Sequence, residues 1–137
     1  MKKNNYLWSY TQWSQNDRLK LENDHTIDQL KTVCVKRYIA LSSTVIEKKL
    51  FLTHCHKMKK FSYSCEDYAL WIDLLKYGHL PFYEENTIMT YNVGVNSLSK
   101  NKVRQVKNVF RVYVDAVGLI KAIWYLAFFV KNKVKDE

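Results

Sequence analysis

Apolar and polar positions along the chain change period several times, and each change marks an element. Tyr6 to Trp13 alternates aromatic and polar residues with a period of two, which predicts a half-buried strand. Ser14 to Asp24 is polar and reads as a turn or loop. Thr26-Ile27-Asp28-Gln29 has the form of a capping box, so a short helix is expected through Lys31. Tyr38 to Ile46 places Ile39, Leu41, Val45 and Ile46 around Ser42-Ser43-Thr44 and predicts a second strand, followed by a helical turn at Glu47–Phe51. Tyr68, Trp71, Leu74 and Leu75 then recur at helical spacing, with Asp73 and Lys76 facing away and Gly78 placed to end the helix in a left-handed conformation.

Leu80–Glu84 and Thr87–Val93 read as two short extended segments, and Asn96-Ser97-Leu98-Ser99 as a polar turn. From Lys100 to Val114, Val103, Val106, Val109, Phe110 and Val114 recur at helical spacing among basic residues. Ala116 to Val130 is apolar apart from Lys121, which is too short a run for the roughly eighteen uninterrupted apolar residues of a membrane span. An interfacial or partner-buried helix is expected instead, with Lys131, Lys133 and Lys135 at its polar end. The order is mixed α and β, with no internal repeat.

Charge sharpens this picture. The 137 residues carry 22 Lys and Arg against 13 Asp and Glu, for a net charge of +9. Nine of those bases and three of those acids lie from Lys100 onward, so the tail alone contributes +6. Such a tail favours an anionic partner: phosphate, nucleic acid or an acidic membrane surface. With 47% hydrophobic residues a packed core is expected rather than disorder. The opening MKKNNYLWSY has no apolar signal-peptide core. Cys34, Cys55 and Cys65 are an odd set at irregular spacings, a pattern suited to a reducing compartment. His54-Cys55-His56 invites a metal reading, but adjacent side chains point apart on a helix or a strand, so no metal site is expected there. His25 and His79 are likewise expected to be surface or satisfied histidines.

The segment Phe61-Ser62-Tyr63-Ser64-Cys65-Glu66-Asp67-Tyr68-Ala69-Leu70-Trp71 is the most informative. It resembles the Glu-Asp-Tyr-x-Leu-Trp signature of family 2 glycosyltransferases, which make bacterial surface polysaccharides. Upstream, Ser42-Ser43-Thr44-Val45-Ile46-Glu47-Lys48 resembles the family's Ser-Thr-Val-hydrophobic-x-Arg/Lys strand. Downstream, Tyr91 with Asn96 to Lys102 resembles its Tyr-Arg-x-x-x-x-Ser-x-Ser segment, although Asn92 stands where the family has Arg. The likeness runs from about Tyr6 to the C-terminus and implies a partial GT-A fold, a Rossmann-like α/β domain. Residues 1–99 would be its acceptor-side part and residues 100–137 a basic helical tail, associated with a membrane.

The resemblance also implies what to look for. The family's nucleotide pocket and Asp-x-Asp metal motif have no counterpart among these residues: none of the seven aspartates forms such a pair, and no Gly-rich turn joins a strand to a helix. Met1 to Tyr6 instead resembles the helix end and strand that follow the metal motif in longer relatives. The chain is therefore expected to be an acceptor-side fragment, silent unless a partner supplies the nucleotide half. By resemblance Asp67 is the catalytic base, and Glu66 its neighbour that binds acceptor or orients the loop. The bland alternative is that both only complement a helix N-terminus.

Lys100 and Lys102, with Arg104, are candidates for a diphosphate or lipid-phosphate contact, against the alternative of a solvated basic face. Trp71 and Tyr68 are candidates for stacking on a sugar, although at helical spacing such rings more often belong to the core. The full enzyme would use Mg²⁺ or Mn²⁺ with a nucleotide-sugar, and a glycan or lipid-linked acceptor at the cytoplasmic face of the inner membrane. No cofactor is expected on this chain alone, and edge strands left bare would favour self-association. The second reading is a non-enzymatic basic module that binds an anionic membrane or nucleic acid. Helix-turn-helix, zinc and RNA-recognition motifs are all missing, so nucleic acid is not expected.

Overall fold

A computed structural model describes residues 6–15, 18–19, 33–34, 39–61, 65–91 and 102–135. The fold is mixed α/β, with a small mixed sheet and helices. Among these residues strand β1 (Trp8–Gln15) is the centre of a four-stranded sheet. Its alternation is the expected one: Trp8 and Tyr10 are buried, while Ser9, Thr11 and Trp13 are only half-buried. The strand continues through Ser14 and Gln15, which sequence reading assigned to a loop, and pairs there with β2 (Arg18–Leu19) in antiparallel register, Ser14 opposite Leu19. Strand β3 (Thr44–Ile46) is antiparallel to the first residues of β1, with Trp8 opposite Ile46.

Of the expected Tyr38–Ile46 strand, three of the described residues, Thr44–Ile46, are paired in the sheet. Leu41–Ser43 form a 3₁₀ turn instead. The Ser43 and Thr44 hydroxyls both donate to the Ala40 carbonyl, at 2.8 and 2.9 Å, so side chains take an acceptor that a longer strand would need.

Strand β4 (Phe82–Tyr91) runs parallel to β1 and joins the two segments expected at Leu80–Glu84 and Thr87–Val93. The interruption between them is real: Thr11 pairs with Glu84 but Gln12 pairs with Ile88, leaving Glu85 to Thr87 as a bulge. The Asn86 N–H donates to Glu84 Oε1 across that bulge at 3.0 Å. The helix expected at Thr26–Lys31 lies outside the described residues.

Two short helices, α1 (Lys48–His54) and α2 (His56–Lys60), lead to α3 (Glu66–Lys76). Parallel strands need a crossover, and α3 belongs to the one between β1 and β4. It packs on the sheet through Trp71, whose indole stacks on that of Trp8 with ring centres 5.1 Å apart and planes 8° apart. At its C-terminus, Gly78 N–H donates to the Leu75 carbonyl and His79 N–H to the Leu74 carbonyl, both at 3.0 Å. With Gly78 at φ 80°, this is the left-handed stop expected from the sequence. The Trp8 Nε1–H donates to the His79 carbonyl at 2.8 Å, tying the end of the helix back to β1.

Helix α4 (Lys102–Val117) and helix α5 (Leu119–Lys135) follow. The apolar run that began at Ala116 is split by Gly118 at φ 81°, where the chain turns from one helix into the next. Val109, Val112 and Tyr113 of α4, and Ala122 and Phe129 of α5, lie in the same apolar cluster as Trp8 and Trp71.

Candidate functional site

Glu66 and Asp67 are the first residues of α3, and both are half-buried. The first four N–H groups of a helix lack intrahelical acceptors, and carboxylates there meet the positive end of the helix dipole. Asp67 Oδ1 accepts the Tyr68 N–H at 2.7 Å, which fixes the carboxylate's orientation at the helix mouth. Cys65, the residue before the helix, makes no side-chain cap bond.

Tyr68 fixes the helix start itself. It is buried, and its hydroxyl lies 2.8 Å from the Cys34 carbonyl, 3.1 Å from the Val33 carbonyl and 2.9 Å from the Tyr113 hydroxyl. The Tyr113 hydroxyl also donates to the Cys34 carbonyl. The residue next to Asp67 is thereby anchored to two distant parts of the chain, and a carboxylate beside such an anchor loses little freedom when it engages a substrate. Tyr68 belongs to the core, the more frequent role for a ring at that spacing.

Trp71 is also in the core. It is 1% exposed, with one ring face against Trp8. Among the described residues its buried Nε1–H has no acceptor. Lys100 lies outside the described residues. Lys102 opens α4, and its side chain is likewise outside them. The structure therefore brings Glu66 and Asp67 together at one helix start and gives no geometry for the two lysines. Arg104 is exposed on the first turn of α4.

A charged cluster that sequence reading missed lies among α1, α2, α3 and α4. Asp73, expected to face away, is 5% exposed. The reason is that α3 is covered on every side from Tyr68 to Leu75. Asp73 Oδ2 lies 2.7 Å from His54 Nδ1, and its Oδ1 is 3.7 Å from Lys57 Nζ. Lys57 Nζ donates to Asp115 Oδ2 at 2.8 Å, and Lys60 donates to the other Asp115 oxygen. The His54 ring also meets Tyr77 and His79, with centres 5.2 and 5.4 Å away. An acid inside an otherwise apolar helical run was the available signal, because a buried carboxylate requires a partner.

The hydrogen bond to Asp115 leads in holding the Lys57 ammonium above its ordinary pKa, against the opposing pull of burial. Burial pushes the Asp115 carboxyl upward, but hydrogen bonds from Lys57 and Lys60 outweigh it and hold it below the usual carboxylate value. The sign of the pH dependence follows. The Asp115 contribution to stability is complete above its unfolded value of 3.8 and is lost as pH falls through the depressed folded value. The Lys57 contribution is complete below 10.5 and is lost as pH rises through the raised folded value. Asp115→Asn is expected to cost about 1 kcal/mol at neutral pH, with the deficit shrinking in strongly acidic buffer. Urea unfolding of both proteins across pH checks this, and a pH-independent difference would contradict it.

His54 and His56 point apart, the first buried on Asp73 and the second exposed, its Nδ1 3.2 Å from the Thr53 carbonyl. Among the described residues no three His, Cys, Asp or Glu side chains are grouped to hold a metal ion. A shallow depression of about 550 Å³ at α1 is lined by Glu47, Lys48, Lys49, Leu52 and Thr53, and by neither Glu66 nor Asp67.

The fold and this acidic helix start describe a mixed α/β domain compatible with part of a glycosyltransferase. Comparison with curated proteins agrees at that level. Over 74 residues the chain is 32% identical to a protein of Bacillus subtilis (strain 168) that carries the provisional name teichuronic acid biosynthesis glycosyltransferase TuaG. The aligned stretch is 53% of this chain and 29% of that protein, so it spans less than a third of the relative's length. This likeness supports a glycosyltransferase relationship. No protein-family model matches the chain, and no solved structure matches it.

Proposed function

We propose that this chain is the acceptor side of a family 2, GT-A type glycosyltransferase that adds a sugar to a bacterial surface polysaccharide. The observation that carries this reading is the 32% identity with the Bacillus subtilis glycosyltransferase. The placement of Glu66 and Asp67 at the anchored start of α3 supports it. In this mechanism Asp67 accepts the proton of the acceptor hydroxyl as that oxygen attacks the anomeric carbon of the donor sugar. The bond from that carbon to the diphosphate oxygen breaks, and the nucleoside diphosphate leaves with the bond's electrons. Attack from the face opposite the leaving group inverts the anomeric centre. Glu66 binds or orients the acceptor, Lys100 and Lys102 meet phosphate, and Trp71 fixes α3 on the sheet. The donor nucleotide, with its divalent ion, is held by residues other than those described here.

Deleting the coding region is expected to remove a sugar, or a whole polymer, from the cell-surface polysaccharide, with restoration on re-expression. Composition analysis of that polysaccharide reads the result, and an unchanged composition overturns the proposal. The purified chain by itself is expected to transfer no sugar from a nucleotide-sugar, and turnover by it alone would overturn the division of labour.

A further inference from the structure

Helix α5 has two apolar sides, and the fold uses one of them. Ala122 and Phe129 are buried, and Tyr125 and Leu126 pack against the core beside them. On the opposite side Ile120, Ile123, Trp124 and Phe128 recur at intervals of three and four residues and are 78%, 56%, 66% and 43% exposed. Single exposed apolar residues are ordinary, but four large ones on one stripe with a Trp among them mark an interaction surface. Lys121 lies at the margin of this stripe and Lys131 at its C-terminal end, both exposed. From Ala116 to Lys135 the chain has four lysines and no carboxylate.

We propose that this outer face of α5 docks on an anionic lipid bilayer. Ile120, Ile123, Trp124 and Phe128 enter the boundary between headgroups and acyl chains, while Lys121 and Lys131 reach up to lipid phosphates. The helix lies along the surface rather than crossing it. At 1.5 Å per residue its length is about 25 Å, less than the roughly 30 Å of bilayer hydrocarbon. Among the described residues no helix is long and apolar enough to span a membrane.

Charge selects this occupant over a second copy of the chain. A copy would bring the same lysines against themselves with no acid on either helix to pair with, and each chain carries a net charge of +9. An anionic bilayer offers hydrocarbon to the centre of the stripe and phosphate to its rim. Arg104, Lys107 and Arg111, exposed along α4, add to the attraction. The proposal stands independently of sugar transfer.

The test is flotation of the full chain with vesicles of phosphatidylcholine alone or mixed with phosphatidylglycerol. The chain is expected to float with the mixed vesicles, to stay behind with the neutral ones and to be released by salt. Trp124→Glu is expected to lower vesicle affinity at least about tenfold, since it removes a buried ring and adds a repelled charge. Trp124 is exposed, so its circular dichroism should match that of the wild type. Lys121→Glu with Lys131→Glu is expected to abolish the preference for anionic lipid. No flotation, equal flotation on both vesicle types, or wild-type flotation of Trp124→Glu would each overturn the proposal. So would a dimer in sedimentation velocity that Trp124→Glu dissolves, because a second copy would then own the face.

Discussion

Asp67→Asn is expected to lower sugar transfer by about two to four orders of magnitude in an enzyme assembled with its donor-binding part, while leaving the fold intact. The substitution is nearly isosteric, and the amide oxygen can still accept the Tyr68 N–H that now bonds Asp67 Oδ1 at 2.7 Å. The side chain therefore keeps its orientation at the start of α3 and loses the capacity to take a proton. The removed charge weakens the match to the helix dipole, worth about 0.3–1 kcal/mol at such a position. Turnover and stability should thus separate: kcat collapses, KM for the acceptor changes little and the urea midpoint moves only slightly. Glu66→Gln provides the contrast, because a group that binds acceptor without receiving its proton should raise KM more than it lowers kcat. Normal turnover in Asp67→Asn would remove Asp67 from the chemistry and leave it as a helix-end carboxylate.

What makes Asp67 a good position was partly written in the sequence. The run from Glu66 to Trp71 declared both a helix start and a resemblance, and Gly78 declared its end. The buried hydroxyl anchor under Tyr68 was not legible, because Cys34 and Tyr113 are distant in sequence and meet only in the folded chain. The same cause hid other features. Periodicity read α3 as half-exposed, the ordinary condition of a helix on a sheet, whereas α1, α2 and α4 cover the side that was assigned to solvent. Composition read Ala116 to Val130 as one apolar run, whereas Gly118 splits it and turns half of α5 onto the core. At β3, local bonds from Ser43 and Thr44 to the Ala40 carbonyl prevailed over strand propensity. Local pattern thus located most of the elements and the acidic helix start, but neither β2 nor α2. It did not show which elements would cover one another.

The cover over α3 leads to the second large effect. Asp73→Ala is expected to destabilise the protein by about 3 kcal/mol, far more than a solvent-facing acid on a helix would cost. His54 and Asp73 side chains are 7% and 6% exposed, and the carboxylate bridges His54 on α1 to Lys57 on α2. Removing it leaves the His54 Nδ1 group buried without its partner. One feature keeps the loss below the full penalty of a stranded charge: Lys57 retains Asp115 at 2.8 Å. Replacing both members together, His54→Leu with Asp73→Leu, removes the polar groups as a pair and is expected to recover most of the lost stability. A double-mutant cycle by urea unfolding should therefore give a coupling energy of about 2 kcal/mol between the two positions. A cost below about 1 kcal/mol for Asp73→Ala would mean that the pair contributes no more than a surface ion pair. The position of α1 and α2 against α3 would then rest on apolar contacts such as Leu50 alone. If the coupling is found, the same carboxylate holds both short helices against the helix whose first turn carries Asp67.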